Sequence, residues 1–172
     1  MPSFHVRVFV SSTWLDLQPE RQAIEQTLQR FHETKFNGME HFGSRDETTR
    51  AASLSEVDKS DLYVGVIGSR YGSGITEAEY RRARERRLPC FIYCKEDSAV
   101  AGKWQEADLA KAEKLTALVK ELRSNHTITT FTQPDELAVS LAVDLHRWLF
   151  EEYLAPRLQI ASERGDIQTL TG

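Results

Sequence analysis

The run Leu62–Ile67 (LYVGVI) decides the fold, because it is continuous and apolar along its whole length. Such a run is typical of a β-strand that is covered on both faces. Upstream, Val6–Val10 (VRVFV) has the pattern of another strand, and downstream Cys90–Cys94 (CFIYC) has that of a third. We therefore expect Leu62–Ile67 at the centre of a parallel sheet.

Segments with helical periodicity alternate with these strands. After the first strand, Leu17, Ile24, Leu28 and Phe31 recur at intervals of seven, four and three residues, which places them on one helical face. The other expected elements are, in chain order, a weaker strand at Thr34–Phe42, helices at Thr48–Asp58 and Thr76–Arg87, a long helix carrying Leu115–Leu122, a strand at Thr127–Phe131 and a helix from about Pro134.

Five strands alternating with five helices imply parallel pairing through right-handed crossovers. The expected fold is α/β: a flavodoxin-like, TIR-like three-layer sandwich with a five-stranded parallel sheet in the order 2-1-3-4-5. Residues 1–155 are expected to form this domain, and residues 156–172 a polar tail or the start of a linker. Ligands of such sheets bind at the carboxyl ends of the strands where the winding reverses, here between strands one and three.

Composition narrows the class of function. The 172 residues carry 22 Lys and Arg against 26 Asp and Glu, a formal charge of −4, so we expect neither a nucleic acid nor a membrane partner. A signal peptide and a membrane-spanning run are not expected, which favours the cytoplasm. Cys90 and Cys94 are too far apart along a strand for a disulfide and are predicted to be reduced. The five histidines show no metal-ligand spacing.

The first candidate loop is Ser11, Ser12 and Thr13, with Asp16 three residues further on. Free backbone N–H groups and the helix dipole favour an anion where a strand passes into a helix, and hydroxyls there suit a phosphate or a ribose. Thr13 and Asp16 also match a capping box for the following helix. Capping is the commoner role of such residues, and the two roles can coexist.

The second candidate loop is Gly68–Gly74 (GSRYGSG), whose three glycines allow a close approach of backbone to ligand. It lacks the Gly-Lys-Ser/Thr of a Walker A loop. Arg70 suits a phosphate, Tyr71 suits stacking on a base or a nicotinamide ring, and Gly72 lies beside them. The alternative is an ordinary flexible loop with a surface Arg and a half-buried Tyr.

A carboxylate follows the second loop. Thr76 as N-cap would place Glu79 at the third helical position, the geometry of a capping box. An anionic carboxylate facing a ribose is also what N-glycosidic cleavage requires, because it stabilises or attacks the oxocarbenium-like centre. Glu77 is the rival carboxylate. We expect the hydroxyls of the first loop and Glu79 to face each other across one hollow.

Several motifs together resemble the domain of unknown function family 4062, over about Val6–Lys95. They are Val8–Trp14 with Asp16, Leu17, Glu20 and Arg21, then Met39–Gly43, Ser60–Gly65, Arg70–Gly72 and Thr76–Ala83. Members of that family commonly stand at the N-terminus of signalling proteins, ahead of a NACHT-type or other STAND ATPase and helical repeats. The resemblance implies an effector domain of an immune or signalling protein, including antiphage defence, that oligomerises through the attached ATPase.

That family is in turn similar to TIR domains and to nucleoside 2-deoxyribosyltransferases, both flavodoxin-like. In the transferases a catalytic Glu opens a helix that runs into a Pro-initiated strand, and Glu79 lies ten positions before Pro89. TIR domains carry Glu-Leu-x-x-Ala at their NAD-cleaving Glu, and Glu79-Tyr80-x-x-Ala83 resembles that motif with Tyr80 in place of Leu. The resemblance implies that Glu79 is the catalytic residue.

Three hypotheses follow. The first is an NAD or nucleotide N-glycosidase with Glu79 as the catalytic group. Its binding site is formed by the two loops, with Asp16, Phe42 and Asp46 as secondary lining residues. No tightly bound cofactor is expected. The second is a non-catalytic module for homotypic interaction or nucleotide sensing, with the basic run Arg81–Arg87 and the acidic pairs Glu96-Asp97 and Glu151-Glu152 as complementary patches. The third, a flavodoxin-like cofactor binder, predicts a coloured protein.

Overall fold

A computed structural model describes residues 5–31, 34–37 and 49–163 of the chain. The α/β fold with a parallel sheet that the sequence predicts is confirmed. Its elements are, in chain order, β1 (Val6–Ser12), α1 (Gln18–Arg30), β2 (Thr34–Asn37), α2 (Thr49–Asp58), β3 (Leu62–Ile67), α3 (Ile75–Glu85), β4 (Cys90–Lys95), α4 (Leu109–Asn125), β5 (Ile128–Phe131), α5 (Pro134–Arg147), a π-helical segment (Trp148–Leu154) and α6 (Ala155–Glu163).

The strands pair in the order β2-β1-β3-β4-β5, which is the order that the sequence predicts. Every pair is parallel, and β1 lies next to both β2 and β3. At the carboxyl end of β1, Ser11 pairs with Gly65 and Ser12 with Val66. The winding therefore reverses beside β1, and the loops that follow β1 and β3 meet there.

Each face of the sheet is covered by its own apolar cluster. On one face, alternate residues of β1 such as Val8 and Val10 pack with Leu28 of α1 and Leu141 of α5. On the other face, Phe9 and its neighbours on β3 and β4 pack with Val57 of α2, Tyr80 of α3 and Leu118 of α4. Because successive residues of a strand point to opposite faces, this arrangement determines which helices each polar residue of β1 meets.

Two predicted helix starts are wrong. The sequence predicted Thr13 as the cap of the first helix, but α1 begins at Gln18, because Pro19 fits only the first turn of a helix. It also predicted Thr76 as a cap, but α3 begins one residue earlier, after Gly74, whose φ of 83° only a glycine adopts without strain. The Gly74 carbonyl accepts the first helical hydrogen bond, from Ala78 N at 3.1 Å.

The C-terminal part is more helical than the sequence predicted. A polar tail was expected from residue 156, whereas α6 continues helically to Glu163. Cys90 and Cys94 are both free thiols, as predicted. Within the described residues, no helix combines the length and the apolar character needed to cross a bilayer.

Candidate functional site

The two serines at the end of β1 point to opposite faces of the sheet. Ser11 follows the parity of Phe9 and faces α2 and α3, whereas Ser12 follows Val10 and faces α1. Their hydrogen bonds agree with this: Ser11 donates to Glu79 of α3, and Arg21 Nη1 of α1 donates to Ser12 Oγ at 2.6 Å. The predicted hydroxyl loop therefore serves two separate places.

The first place is a buried polar cluster around Glu79. Ser11 Oγ donates to Glu79 Oε2, and Ser53 Oγ of α2 donates to Glu79 Oε1. The three side chains are almost completely buried, with exposures of 1% for Ser11, 0% for Ser53 and 2% for Glu79. The carboxylate thus joins a strand and two helices that lie far apart in sequence.

Tyr63 completes this cluster on the sheet side. Its ring passes over Gly65, where a Cβ would lie 2.9 Å from Tyr63 Cε1 and 3.1 Å from Ile92 Cδ1. Burial and the nearby Glu79 carboxylate raise the pKa of Tyr63 well above its usual value, while a hydrogen bond with Ser11 opposes the shift. The tyrosine hydroxyl therefore stays protonated beside the carboxylate.

The surroundings of Glu79 make opposing contributions to its pKa. Burial raises the pKa, because the charged form loses its hydration. The hydroxyls of Ser11 and Ser53 and the positive charge of Arg21 lower it, and burial prevails. A carboxyl group with a raised pKa can exchange a proton closer to neutral pH than an ordinary glutamate, which is a property of general acids and bases.

The second place is a cavity of about 210 Å³ beside the first loop. Five predicted binding residues line it: Ser12, Thr13, Asp16, Arg70 and Gly72. The rest of its lining is Trp14, Leu15, Ser73, Ile75 and Thr76. Neither Ser11 nor Glu79 is among the residues that line this cavity, and the two meet instead in the buried cluster; that all of these groups face one hollow stays a prediction.

Asp16 is the anionic group of this cavity. Thr13 Oγ1 donates to Asp16 Oδ1 at 2.5 Å, which is the contact these two residues make in place of a helix cap. Burial raises the pKa of Asp16, while the hydrogen bond from Thr13 and the positive charge of Arg70 oppose that rise. A Cβ on Gly68 would lie 2.7 Å from Asp16 Oδ2, so the two predicted loops are in close contact.

Tyr71 is tied to its own loop. Its hydroxyl donates to Glu77 Oε2 at 2.5 Å, and its backbone N–H donates to Glu106 Oε2 at 3.1 Å. Glu77, the rival carboxylate, also accepts from Arg81 Nη2 at 2.9 Å. Tyr71 therefore flanks the cavity region at the base of α3, and Glu77 is engaged by neighbours on its own side of the helix.

Two of the predicted residues, Phe42 and Asp46, lie outside the described residues. Ser53 and Arg21 were not among the predicted site residues. No sequence feature pointed to Ser53, because a single serine in a helical segment is ordinary. Arg21 was noted only as part of the motif at the first helix.

A larger cavity of about 560 Å³ lies at the carboxyl ends of β3, β4 and β5. None of the predicted site residues that the structure describes lines it, although Gly68 at the start of the second loop does, together with residues such as Cys94, Leu115 and Arg123. In the part of the chain that the structure describes, no group of three or more His, Cys, Asp or Glu side chains is placed to hold a metal ion.

Comparison with known proteins gives one family match. The family model described as "Domain of unknown function (DUF4062)" matches residues 7–146. The solved structure of a 2-deoxyribosyltransferase from the psychrotolerant bacterium Bacillus psychrosaccharolyticus matches with 15% identity and a TM-score of 0.43, over 52% of this chain and 72% of its own. That similarity is too low to transfer a fold or an activity. No curated protein is significantly similar in sequence.

Proposed function

The chain belongs to the DUF4062 family. From the geometry at the ends of β1 and β3 we propose that it binds NAD or a related nucleotide there and cleaves the N-glycosidic bond. One observation carries the proposal. Ser11, at the end of β1, donates a hydrogen bond to the buried carboxylate of Glu79 at the point where the sheet reverses its winding. A carboxylate near this crevice is suited to hold a ribose hydroxyl.

In this proposal Glu79 acts on the ribose of the nicotinamide half. As the C1′–N bond breaks, its electron pair leaves with nicotinamide, and the Glu79 carboxylate stabilises or attacks the positive C1′. Water then supplies a hydroxyl group to C1′ and releases a proton, which gives ADP-ribose. Glu79 is the catalytic residue of the scheme.

The cavity beside the first loop is proposed to hold the nucleotide next to Glu79. Arg70 supplies positive charge for a phosphate. The hydroxyls of Ser12 and Thr13, which donate to the Thr13 carbonyl and to Asp16, are proposed to accept from a ribose hydroxyl or to rotate toward a phosphate when the nucleotide binds. Gly72 lines the cavity close to Thr13, where a Cβ would lie 3.1 Å from Thr13 Cγ2, and Tyr71 is the proposed stacking surface. Thr76 lines the cavity and precedes Glu79 by three residues on α3, about one helical turn, which supports this assignment.

The test is release of nicotinamide from NAD by concentrated protein, followed by chromatography. Glu79→Gln keeps the size of the side chain and removes its charge, and Glu77→Gln is the matched control on the same helix. We expect activity in the wild type and in Glu77→Gln, and a loss of at least about a hundredfold in Glu79→Gln. Equal activity in wild type and Glu79→Gln would remove Glu79 from its role.

A second function, a non-catalytic module for homotypic interaction or nucleotide sensing, is favoured by the burial of Glu79. Both of its oxygens accept a serine hydroxyl, as expected of a carboxylate that only joins α2 and α3 to the sheet. This function predicts nucleotide binding or self-association without turnover. Analytical ultracentrifugation over a range of concentration and salt, beside the NAD assay, separates the two.

The basic patch that the sequence predicted for self-association, Arg81–Arg87, is partly neutralised by ion pairs within the chain. Arg81 pairs with Glu77 and Glu121, and Arg82 with Asp58. Exposed apolar residues offer another surface, since Val139 and Val143 lie one helical turn apart on α5 and Phe150 follows. We therefore expect any self-association to depend weakly on salt.

The cellular setting remains part of the proposal. We propose a cytoplasmic TIR-like effector domain of a STAND-type immune or signalling protein, switched on when an attached ATPase clusters several copies. Forced clustering by a fused oligomeric tag should then raise nicotinamide release per chain. An unchanged rate in a clustered form would contradict this mode of activation.

A further inference from the structure

Both oxygens of the Glu79 carboxylate accept hydrogen bonds from within the chain. Oε2 accepts from Ser11 and Oε1 accepts from Ser53, so each oxygen has one hydroxyl donor. Because the cluster is at most 2% exposed, a ligand can reach the carboxylate only if side chains around it move. Any role of Glu79 toward a ligand therefore requires a rearrangement of its own neighbours.

The two donors have the chemistry of a ribose. A ribose presents two neighbouring hydroxyls, and a carboxylate binds such a pair by accepting one hydrogen bond at each oxygen. Ser11 and Ser53 make the same two bonds from two different elements. Each serine hydroxyl therefore stands where one ribose hydroxyl could bind to Glu79, and withdrawal of one serine would free one such position.

The two serines differ in how firmly they are held. Ser11 belongs to β1, which is hydrogen-bonded to β2 on one side and β3 on the other. Ser53 belongs to α2, an outer helix in which Ala52 and Val57 are the buried apolar residues. An ion pair joins α2 to α3: Arg82 Nε lies 2.9 Å from Asp58 Oδ1, and Arg82 Nη2 donates to Asp58 Oδ2 at 3.1 Å, with both side chains partly exposed. Because β1 is packed more extensively against its neighbours than α2 is against α3, we expect Ser53 to be the donor that withdraws.

We propose that Ser53 is an autoinhibitory contact: its hydroxyl occupies the place at Glu79 that a ribose hydroxyl of the ligand takes, and α2 withdraws when the ligand binds. This inference rests on the proposed function, because it assumes that Glu79 meets a ribose. It implies that the described structure is the closed form. It also explains why a residue proposed for catalysis is buried.

The test compares Ser53→Ala with Ser55→Ala, which removes a hydroxyl from the same helix without touching Glu79. Binding of ADP-ribose is measured by calorimetry and nicotinamide release by chromatography. Removing the competing donor should raise the affinity for ADP-ribose and kcat/KM for NAD by about tenfold, as for a tenfold larger share of open form. Ser55→Ala should match the wild type.

Two further measurements guard against a purely structural effect. Ser53→Cys keeps the volume with a weaker donor, and should lie between wild type and Ser53→Ala in affinity if the alanine variant folds poorly. Hydrogen exchange of the α2 amides should accelerate when ADP-ribose binds to the wild type. A residue that only supports the fold would give neither a gain in affinity nor this ligand-dependent exchange.

The outcomes separate the two proposals. If no variant releases nicotinamide but Ser53→Ala binds ADP-ribose more tightly, N-glycosidic cleavage fails and the autoinhibitory contact stands. If the wild type cleaves NAD and Ser53→Ala gains neither affinity nor rate, the contact is overturned and cleavage stands. If ADP-ribose binds to neither protein at millimolar concentration, the contact is likewise overturned.

Discussion

Glu79 links proton binding to folding. Its pKa is raised above the usual 4.5 in the folded chain, chiefly by burial, so the folded state binds a proton more tightly than the unfolded state. The stability that comes from the protonated form is fully present below the unfolded pKa. It is lost as pH rises through the folded pKa.

Glu79→Gln should remove this pH dependence. Between pH 4.5 and the raised pKa, the wild type should lose stability relative to the variant, and the difference should level off above that window. Urea unfolding of both proteins over about pH 4 to 8 measures this difference in unfolding free energy. The pKa of Asp16 is also raised, but Asp16 is present in both proteins, so its contribution cancels in the difference. If the unfolding free energies of the two proteins varied with pH in parallel, Glu79 would have the same pKa in the folded and unfolded states.

Gly65 permits the close packing of Tyr63 beneath the Glu79 cluster. A Cβ there would lie 2.9 Å from the Tyr63 ring and 3.1 Å from Ile92 Cδ1, and both side chains are buried. Gly65→Ala should therefore cost about 1–3 kcal/mol of unfolding free energy by overpacking. Thermal or urea unfolding checks it.

Gly102→Ala is the matched control for Gly65→Ala. No atom lies within 4 Å of a Cβ built on Gly102 among the described residues. Its unfolding free energy should stay within about 0.5 kcal/mol of the wild type. Equal effects at the two glycines would contradict the packing of Tyr63 over β3.

At the scale of elements, α5 shows how one helix serves both core and surface. Leu141 is completely buried against the sheet and α1, whereas Val139 on the same helix is 65% exposed. Leu141→Ala should destabilise the protein by about 2–5 kcal/mol, because it leaves a cavity in the core. Val139→Ala should change the unfolding free energy by less than about 0.5 kcal/mol. Similar losses in denaturant titrations of both variants would mean that α5 is rotated.

At the scale of the whole molecule, the two thiols of β4 report on the integrity of the sheet. Burial raises the pKa of both Cys90 and Cys94 to about 11, and β4 lies between β3 and β5. At about pH 8 a disulfide reagent should therefore label the native protein slowly, and should label two thiols at once in denaturant. Rapid labelling of the native chain would indicate that β4 opens readily.

The order of the sheet and its two covered faces follow from local pattern. The apolar run Leu62–Ile67 and the helical spacing of residues such as Leu137, Leu141 and Leu145 each reflect which side of one element is buried. That information lies within a few neighbouring residues, so the sequence by itself determined the fold class and the place of the crevice. Strand alternation likewise separates Ser11 from Ser12.

The contacts of Glu79 were decided only by tertiary structure. Its two donors lie 68 and 26 residues away along the chain, and neither spacing carries a periodic signal. A capping box with Thr76 would have held Glu79 against the start of its helix, yet Gly74 is the N-cap of α3 and the carboxylate turns inward instead. Which hydroxyls reach it depends on how α2 packs against α3 and β1. Apolar periodicity determines which face of each helix packs on the sheet. The polar partners of a side chain depend on the final positions of the packed helices.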